Sequence, residues 1–296
     1  MAVTEGTVPF RGFHTWYQAV GGLPSRGGKL PLLVVNGGPG CPHDYLQDLA
    51  PLAEDGGRTV VFYDQFGCGR SAHADDPALW VMDTFVDELG ALRQALGLDR
   101  VHLFGHSWGT QVALEYMLRK PSGIAGLVLA GPIASTPAYQ AETRRLKESL
   151  PADVQDVLDR HEAAGTTDDE AYTAATMAFY QRFLCRLDAW PDHLLRSFTS
   201  IREDIYGTLW GSTEWNITGN LKDWDVTDRL GELDLPVLVT SGRHDVVTPD
   251  VVRPVVEGIP GAEWVLFEKS AHVPSVEEPE HYRQVLEGFL SEVEAG

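Results

Sequence analysis

VHLFGHSWGTQVALEYM, residues Val101 to Met117, changes its pattern halfway along. The first residues read as a short buried strand, and beyond Ser107 the apolar spacing turns helical. Gly105 and Gly109 flank the serine in a G-x-S-x-G arrangement at the point of change. Such a turn lifts one hydroxyl clear of a sheet edge, and the start of the following helix favours negative charge developing beside it. Ser107 is therefore the candidate nucleophile. The five-residue pattern alone is common by chance; the strand before it and the helix after it make it specific.

The same pattern of buried strands recurs on either side. LPLLVVN near 30–36, TVVFYD at 59–64, GLVLAG at 126–131, PVLVTSG at 236–242 and EWVLFE at 263–268 are continuous apolar runs of strand length. They predict a parallel sheet buried on both faces. Helical spacing lies between them, as in Phe85, Val86, Leu89, Leu92 and Leu96, and again in Tyr282, Val285, Leu286, Phe289 and Val293. Alternating strands and helices predict an α/β fold, a mostly parallel doubly wound sheet. From about Pro132 to Leu233 no convincing strand appears, but helix-like and aromatic-rich stretches do. A structureless loop of that length is implausible in a compact domain. The expected organisation is a core of residues 1–131 and 234–296 with a helical cap, 132–233, inserted between GLVLAG and PVLVTSG.

A nucleophilic serine needs a base, and the base needs an orienting acid. Where a serine sits on such a turn, the acid and then the histidine follow on loops after later strands. Asp245 in SGRHDVVTP and His272 in EKSAHVPSVEEP occupy those places. Asp223, Asp225 and Asp228 fall in the cap or its exit, His106 adjoins the nucleophile, and His281 opens the last helix. The tetrahedral intermediate also requires backbone donors. The amide of Trp108 is one, and NGGPG after the strand LLVV offers Gly37 or Gly38 as the other.

Composition narrows the rest. Net charge is −20, from 43 acidic and 23 basic residues, which argues against a nucleic-acid partner. No apolar run reaches the ~18 residues of a membrane span, and the start MAVTEGTVPFRGFHTW has no basic region leading into an apolar one. Cys41, Cys68 and Cys185 are odd in number and form no C-x-x-C pair, which points to a reduced, cytoplasmic protein without a zinc ribbon. FGCGRSA lacks the third glycine of a dinucleotide fingerprint. His102 and His106 lie on a strand and its turn, with no glutamate after His102, so neither metal nor cofactor is expected.

NGGPG, YDQFGCGRS, GHSWGTQVAL, GNLKDWDVTDRL, GRHDVVTP and SAHVP together resemble the proline iminopeptidase family of α/β-hydrolases, from about residue 30 to the C-terminus. The family also includes amino-acid amidases and tricorn-interacting aminopeptidases. The resemblance implies an α/β-hydrolase fold, with Ser107 as nucleophile, His272 as base and Asp245 as orienting acid. It also implies a cap that closes a small pocket in which acidic side chains hold a free α-amine. Glu214, in GSTEWNITG, matches one such carboxylate, and Trp215 beside it is a second candidate contact. Two positions depart from the pattern: Asn36 stands where the oxyanion loop usually begins with His, and Val246 where many members carry a second glutamate for the amine.

The expected activity is cofactor-independent release of an N-terminal residue, often proline, from a short peptide, or hydrolysis of an amino-acid amide. An esterase or lactonase of the same fold is the alternative, and a non-catalytic ligand receptor a further one. Most cap aromatics are expected to form the cap's own core rather than the pocket.

Overall fold

The computed structural model describes residues 2–23, 28–55 and 57–296. Eight strands form one sheet: β1 (Val3–Phe10), β2 (Phe13–Val20), β3 (Leu32–Val35), β4 (Val60–Tyr63), β5 (Val101–His106), β6 (Ile124–Ala130), β9 (Val237–Gly242) and β10 (Glu263–Phe267). Their order is β1-β2-β4-β3-β5-β6-β9-β10. Strands β4 to β10 in that order run parallel, and β1 and β2 join antiparallel at one edge.

The inner parallel strands are largely apolar because both faces are covered. Leu33, Val35, Val101, Leu103, Leu127 and Leu129 enter one core, while Leu32, Val34, Phe104 and Val128 enter the other. Period-two alternation therefore sorts residues between two apolar layers rather than between core and water. Helices α2 (Met82–Ala95), α3 (Trp108–Leu118) and α9 (Pro249–Gly258) cover the first face. A 3-10 turn (His43–Leu49), α1 (Leu52–Asp55) and the C-terminal α11 (Pro279–Ala295), with α10 (Pro274–Glu277) leading into it, cover the second.

The β1–β2 hairpin is absent from the sequence-based expectation. Its outer strand is mostly exposed and polar, so it lacks the continuous apolar run by which the other strands announce themselves. The available signal was the two-residue turn Arg11-Gly12, both at positive φ (47° and 85°), between two alternating segments.

Helices α4 (Thr136–Glu148), α5 (Ala152–Ala164), α6 (Glu170–Phe183), α7 (Asp192–Thr199) and α8 (Glu203–Leu209) lie between β6 and β9. A small hairpin, β7 (Gly211–Thr213) and β8 (Asn216–Ile217), accompanies them, contrary to the expectation of helices alone. Strands of three and two residues are too short to show periodicity. The chain enters and leaves this region side by side: Thr136 N–H bonds the Trp224 carbonyl at 2.9 Å, and Val226 N–H the Ala134 carbonyl at 2.8 Å. Leu230 beyond the exit packs near Gly258 of α9.

Candidate active site

Ser107 follows β5, the Asn36–Gly40 loop follows β3, Asp245 follows β9 and His272 follows β10. All four lie beyond the carboxyl ends of parallel strands, where an open α/β sheet gathers its ligand-binding loops. Ser107 has φ 54° and ψ −124°, a strained conformation for a residue with a side chain. The glycines around it are required by close approach. A Cβ on Gly105 would lie 2.6 Å from the Gly109 carbonyl oxygen, and one on Gly109 only 2.2 Å from that of Val35. Strand, turn and helix can be this tight only without those side chains.

His272 Nδ1–H donates to Asp245 Oδ1 at 2.7 Å, and Asp245 Oδ1 also accepts the Val247 amide at 2.7 Å. Both side chains are buried. Burial draws the His272 imidazole down, but the charge and hydrogen bond of Asp245, helped by Glu214 and Glu277, outweigh it and hold its pKa above the usual value. The geometry leaves Nε2 as the ring nitrogen that is free to exchange a proton. The cleft that Ser107 and His272 share encloses about 610 Å³, open space included.

Of Gly37 and Gly38, the two candidates for the second donor beside Trp108, the amide of Gly37 is already engaged. It donates to Tyr45 Oη at 2.7 Å. Gly38 and Trp108 have no amide partner among the described residues, Trp108 because it opens α3, where backbone N–H groups lack intrahelical acceptors. Asn36 serves as an anchor: its Nδ2 donates to the Cys41 carbonyl and closes the loop. Gln65, to which the sequence assigned no role, ties the two arms together. Its Nε2 donates to the Asn36 carbonyl at 2.7 Å, and its Oε1 accepts the Trp108 indole N–H at 2.9 Å.

Glu214 sits at the turn of the β7–β8 hairpin and lines the cleft. Tyr139 Oη donates to its Oε2 at 2.7 Å, Tyr206 Oη to its Oε1 at 2.8 Å, and Trp210 Nε1 to Oε2 at 3.2 Å. Three aromatic donors thus fix the carboxylate and leave acceptor capacity on Oε1. Tyr139 and Tyr206 also line the cleft; neither was singled out beforehand as a site residue, because a tyrosine signals nothing until its partner is known. Val246 lines the cleft too, buried and apolar, with its amide on the Phe183 carbonyl at 2.9 Å.

Trp215 does not reach the cleft. Its indole N–H donates to Glu162 at 2.7 Å and its ring packs on Phe179, 4.8 Å between centroids, inside the cap core. Adjacent residues on a hairpin point apart, so Glu214 facing the cleft sends Trp215 away from it. Of the cap aromatics between Phe179 and Trp215, Phe198 and Tyr206 line the cleft and most pack elsewhere.

His43, Asp44 and Asp64 lie close enough to suggest a cation site, but Arg70 already occupies it. Its guanidinium contacts both Asp44 and Asp64, and Asp64 also accepts the His43 ring at 2.7 Å.

A serine on a strained strand-to-helix turn, with an Asp–His pair on loops after later strands of a mostly parallel sheet, defines an α/β-hydrolase. Residues 31–279 match the family model for the alpha/beta hydrolase fold. More narrowly, the chain belongs to the proline iminopeptidase family. It is 41% identical to the proline iminopeptidase of Heyndrickxia coagulans, over 98% of this chain and 99% of that protein. It is 38% identical to that of Clostridium botulinum, with 98% and 99% covered. Among solved structures it resembles VinJ (TM-score 0.94, 41% identity, 98% of this chain and 99% of that one). It also resembles the proline iminopeptidase of Mycobacterium smegmatis (TM-score 0.90, 38% identity, 98% of each chain).

Proposed function

We propose that the protein is a serine aminopeptidase that releases an N-terminal residue of the proline type from short peptides, amides or arylamides. Ser107 attacks the carbonyl while His272 Nε2 takes its proton and later returns it to the leaving amine, and Asp245 holds the imidazole tautomer. The amides of Gly38 and Trp108 receive the negative charge that develops on the carbonyl oxygen. No cofactor enters this chemistry.

The observation that carries the reading is Glu214. A carboxylate fixed by three donors in a largely apolar cleft that the serine also lines suits an ammonium group at the end of a small substrate. A blocked terminus would bury that charge without a partner, so the same contact rejects it. Free, buried thiols at Cys41, Cys68 and Cys185 support the reading of a reducing, cytoplasmic setting. No helix among the described residues is long and apolar enough to cross a membrane.

The test is a panel of prolyl and other aminoacyl arylamides, their N-acetylated twins, and simple esters and lactones. Free-amine prolyl substrates are expected to lead, and Ser107→Ala to lose several orders of magnitude in kcat while the melting temperature holds. Faster cleavage of an acetylated twin would favour the esterase or lactonase reading, for which Val246 in place of a carboxylate is the supporting feature. Failure of a fluorophosphonate to label the wild type would favour a receptor.

A further inference from the structure

Three buried hydrogen bonds join the oxyanion loop to the backbone of the catalytic histidine. Gly37 N–H donates to Tyr45 Oη at 2.7 Å, Tyr45 Oη and His106 Nδ1 are 2.7 Å apart, and His106 Nε2 lies 2.8 Å from the His272 carbonyl. Both ends have one role only, since an amide donates and a carbonyl accepts. The direction of the whole chain follows: Tyr45 O–H donates to Nδ1, and His106 carries its proton on Nε2. Tyr45 and His106 are both buried, and the His106 and His272 rings lie 4.5 Å apart.

We propose that Tyr45 and His106 are positioning residues, a relay that fixes the oxyanion loop, the nucleophile turn and the His272 loop relative to one another. The proposal rests on the hydrolase reading above. His106 precedes Ser107 directly, so one side chain of the strained turn bonds towards both other loops. With its amide held by Tyr45, Gly37 keeps its peptide turned and leaves the next amide, that of Gly38, towards the substrate oxygen. Gly37 has no room for a side chain: a Cβ there would lie 2.8 Å from Tyr45 Oη and 3.1 Å from Ser107 Cβ. Burial, and then the neighbouring His272, push the His106 pKa down to about 3. The ring therefore stays neutral around neutral pH, and the relay keeps one direction. A charged His106 would put a cation beside the base and weaken it.

The experiment compares Tyr45→Phe, His106→Gln and the double variant. Glutamine can still donate an amide N–H towards the His272 carbonyl but loses the ring acceptor for Tyr45, so both single variants cut the same bond. Active sites are counted by the endpoint of fluorophosphonate labelling. Each single variant is expected to lose about ten- to a hundredfold in kcat per labelled site, with KM within about twofold, because the loss is one of alignment in the transition state. Affinity for pyrrolidine-2-boronic acid, which forms a tetrahedral adduct on serine, will fall in parallel, while affinity for the product proline will not. The double variant will be no slower than the worse single one. Unchanged kcat per labelled site in either folded single variant, or losses that multiply in the double, would overturn the relay and leave Tyr45 and His106 as packing residues. Ser107→Ala in parallel keeps the two readings apart. If it retains turnover, the hydrolase mechanism itself fails; if it is inactive while Tyr45→Phe is normal, only the relay fails.

Discussion

Glu214 is the residue on which the proposed recognition of a free amine turns. With Val246 in place of a second acid, the ammonium has one carboxylate to meet, and a charge-assisted hydrogen bond of this kind contributes about 1.5–3 kcal/mol. Glu214→Gln is therefore expected to lower kcat/KM for a free-amine substrate by roughly ten- to a hundredfold, and Val246→Glu to widen the preference over an acetylated twin. Parallel kinetics on both substrates check this; equal effects on the two would remove Glu214 from amine recognition. The same side chain also enters the pH profile. Glu214 is among the groups that raise the His272 pKa above its usual 6.5. The base must be neutral to act, so kcat/KM is expected to fall on the acid side below a midpoint above 6.5. Removing the Glu214 charge takes away a raising influence and will move that limb to lower pH. A limb that stays in place in Glu214→Gln would contradict the coupling.

Among the elements, the end of α6 ties the cap region to the loops that carry Asp245 and His272. The Phe183 carbonyl accepts the Val246 amide at 2.9 Å, and the Leu184 carbonyl accepts that of His272 at 3.0 Å. Glu277 adds a second tie, taking the amides of Arg186 and Ala271 at 2.8 Å each. Both loops of the Asp–His pair therefore hang partly on the cap. Because the chain enters and leaves the cap side by side, residues 136–224 can be replaced by a short linker without stretching the core. Such a variant is expected to lose at least about a hundredfold in kcat even on p-nitrophenyl acetate, which needs no amine pocket, since the His272 loop loses its support. Retained ester hydrolysis in a folded, capless protein would show that the loops stand alone and that the cap governs selectivity only.

At the scale of the whole molecule, a buried carboxyl group outside the cleft lining is expected to tie stability to pH. Glu88 of α2 is buried, accepts the Phe66 amide at 2.9 Å and meets the Thr15 hydroxyl, joining α2 to the antiparallel edge of the sheet. Burial, which two hydrogen bonds only partly offset, pushes its pKa up to about 8. In the unfolded chain the group titrates near 4.5. Between those values the folded state holds the extra proton, so this group's contribution to stability is complete at low pH and declines as pH rises towards about 8. Glu88→Gln keeps an acceptor for the Phe66 amide and a polar partner for the Thr15 hydroxyl without the titration. Its melting temperature relative to wild type is expected to rise between about pH 5 and about pH 8; a difference independent of pH would show that Glu88 does not titrate in this window.

Much of the site was legible in the residues themselves. G-x-S-x-G between a strand and a helix marked Ser107, and the order of apolar runs put Asp245 and His272 after the right strands, because a buried parallel sheet writes each strand as a continuous apolar segment. The hairpin β1–β2 was not legible, since an exposed edge strand needs no such segment. Neither was the division of labour in the oxyanion loop, where Gly37 and Gly38 are the same residue type and Tyr45 reaches the amide of only one of them. Glu214 and Trp215 are likewise neighbours in the chain, and the hairpin sends one to the cleft and the other to the cap core. The local pattern was enough to place Ser107, Asp245 and His272 after their strands, because short-range periodicity reports which faces are buried. Which amide is free, which aromatics hold the carboxylate and which loops the cap supports were decided by the tertiary structure alone, because a hydrogen bond across 61 or 166 residues leaves no trace in the spacing of either partner.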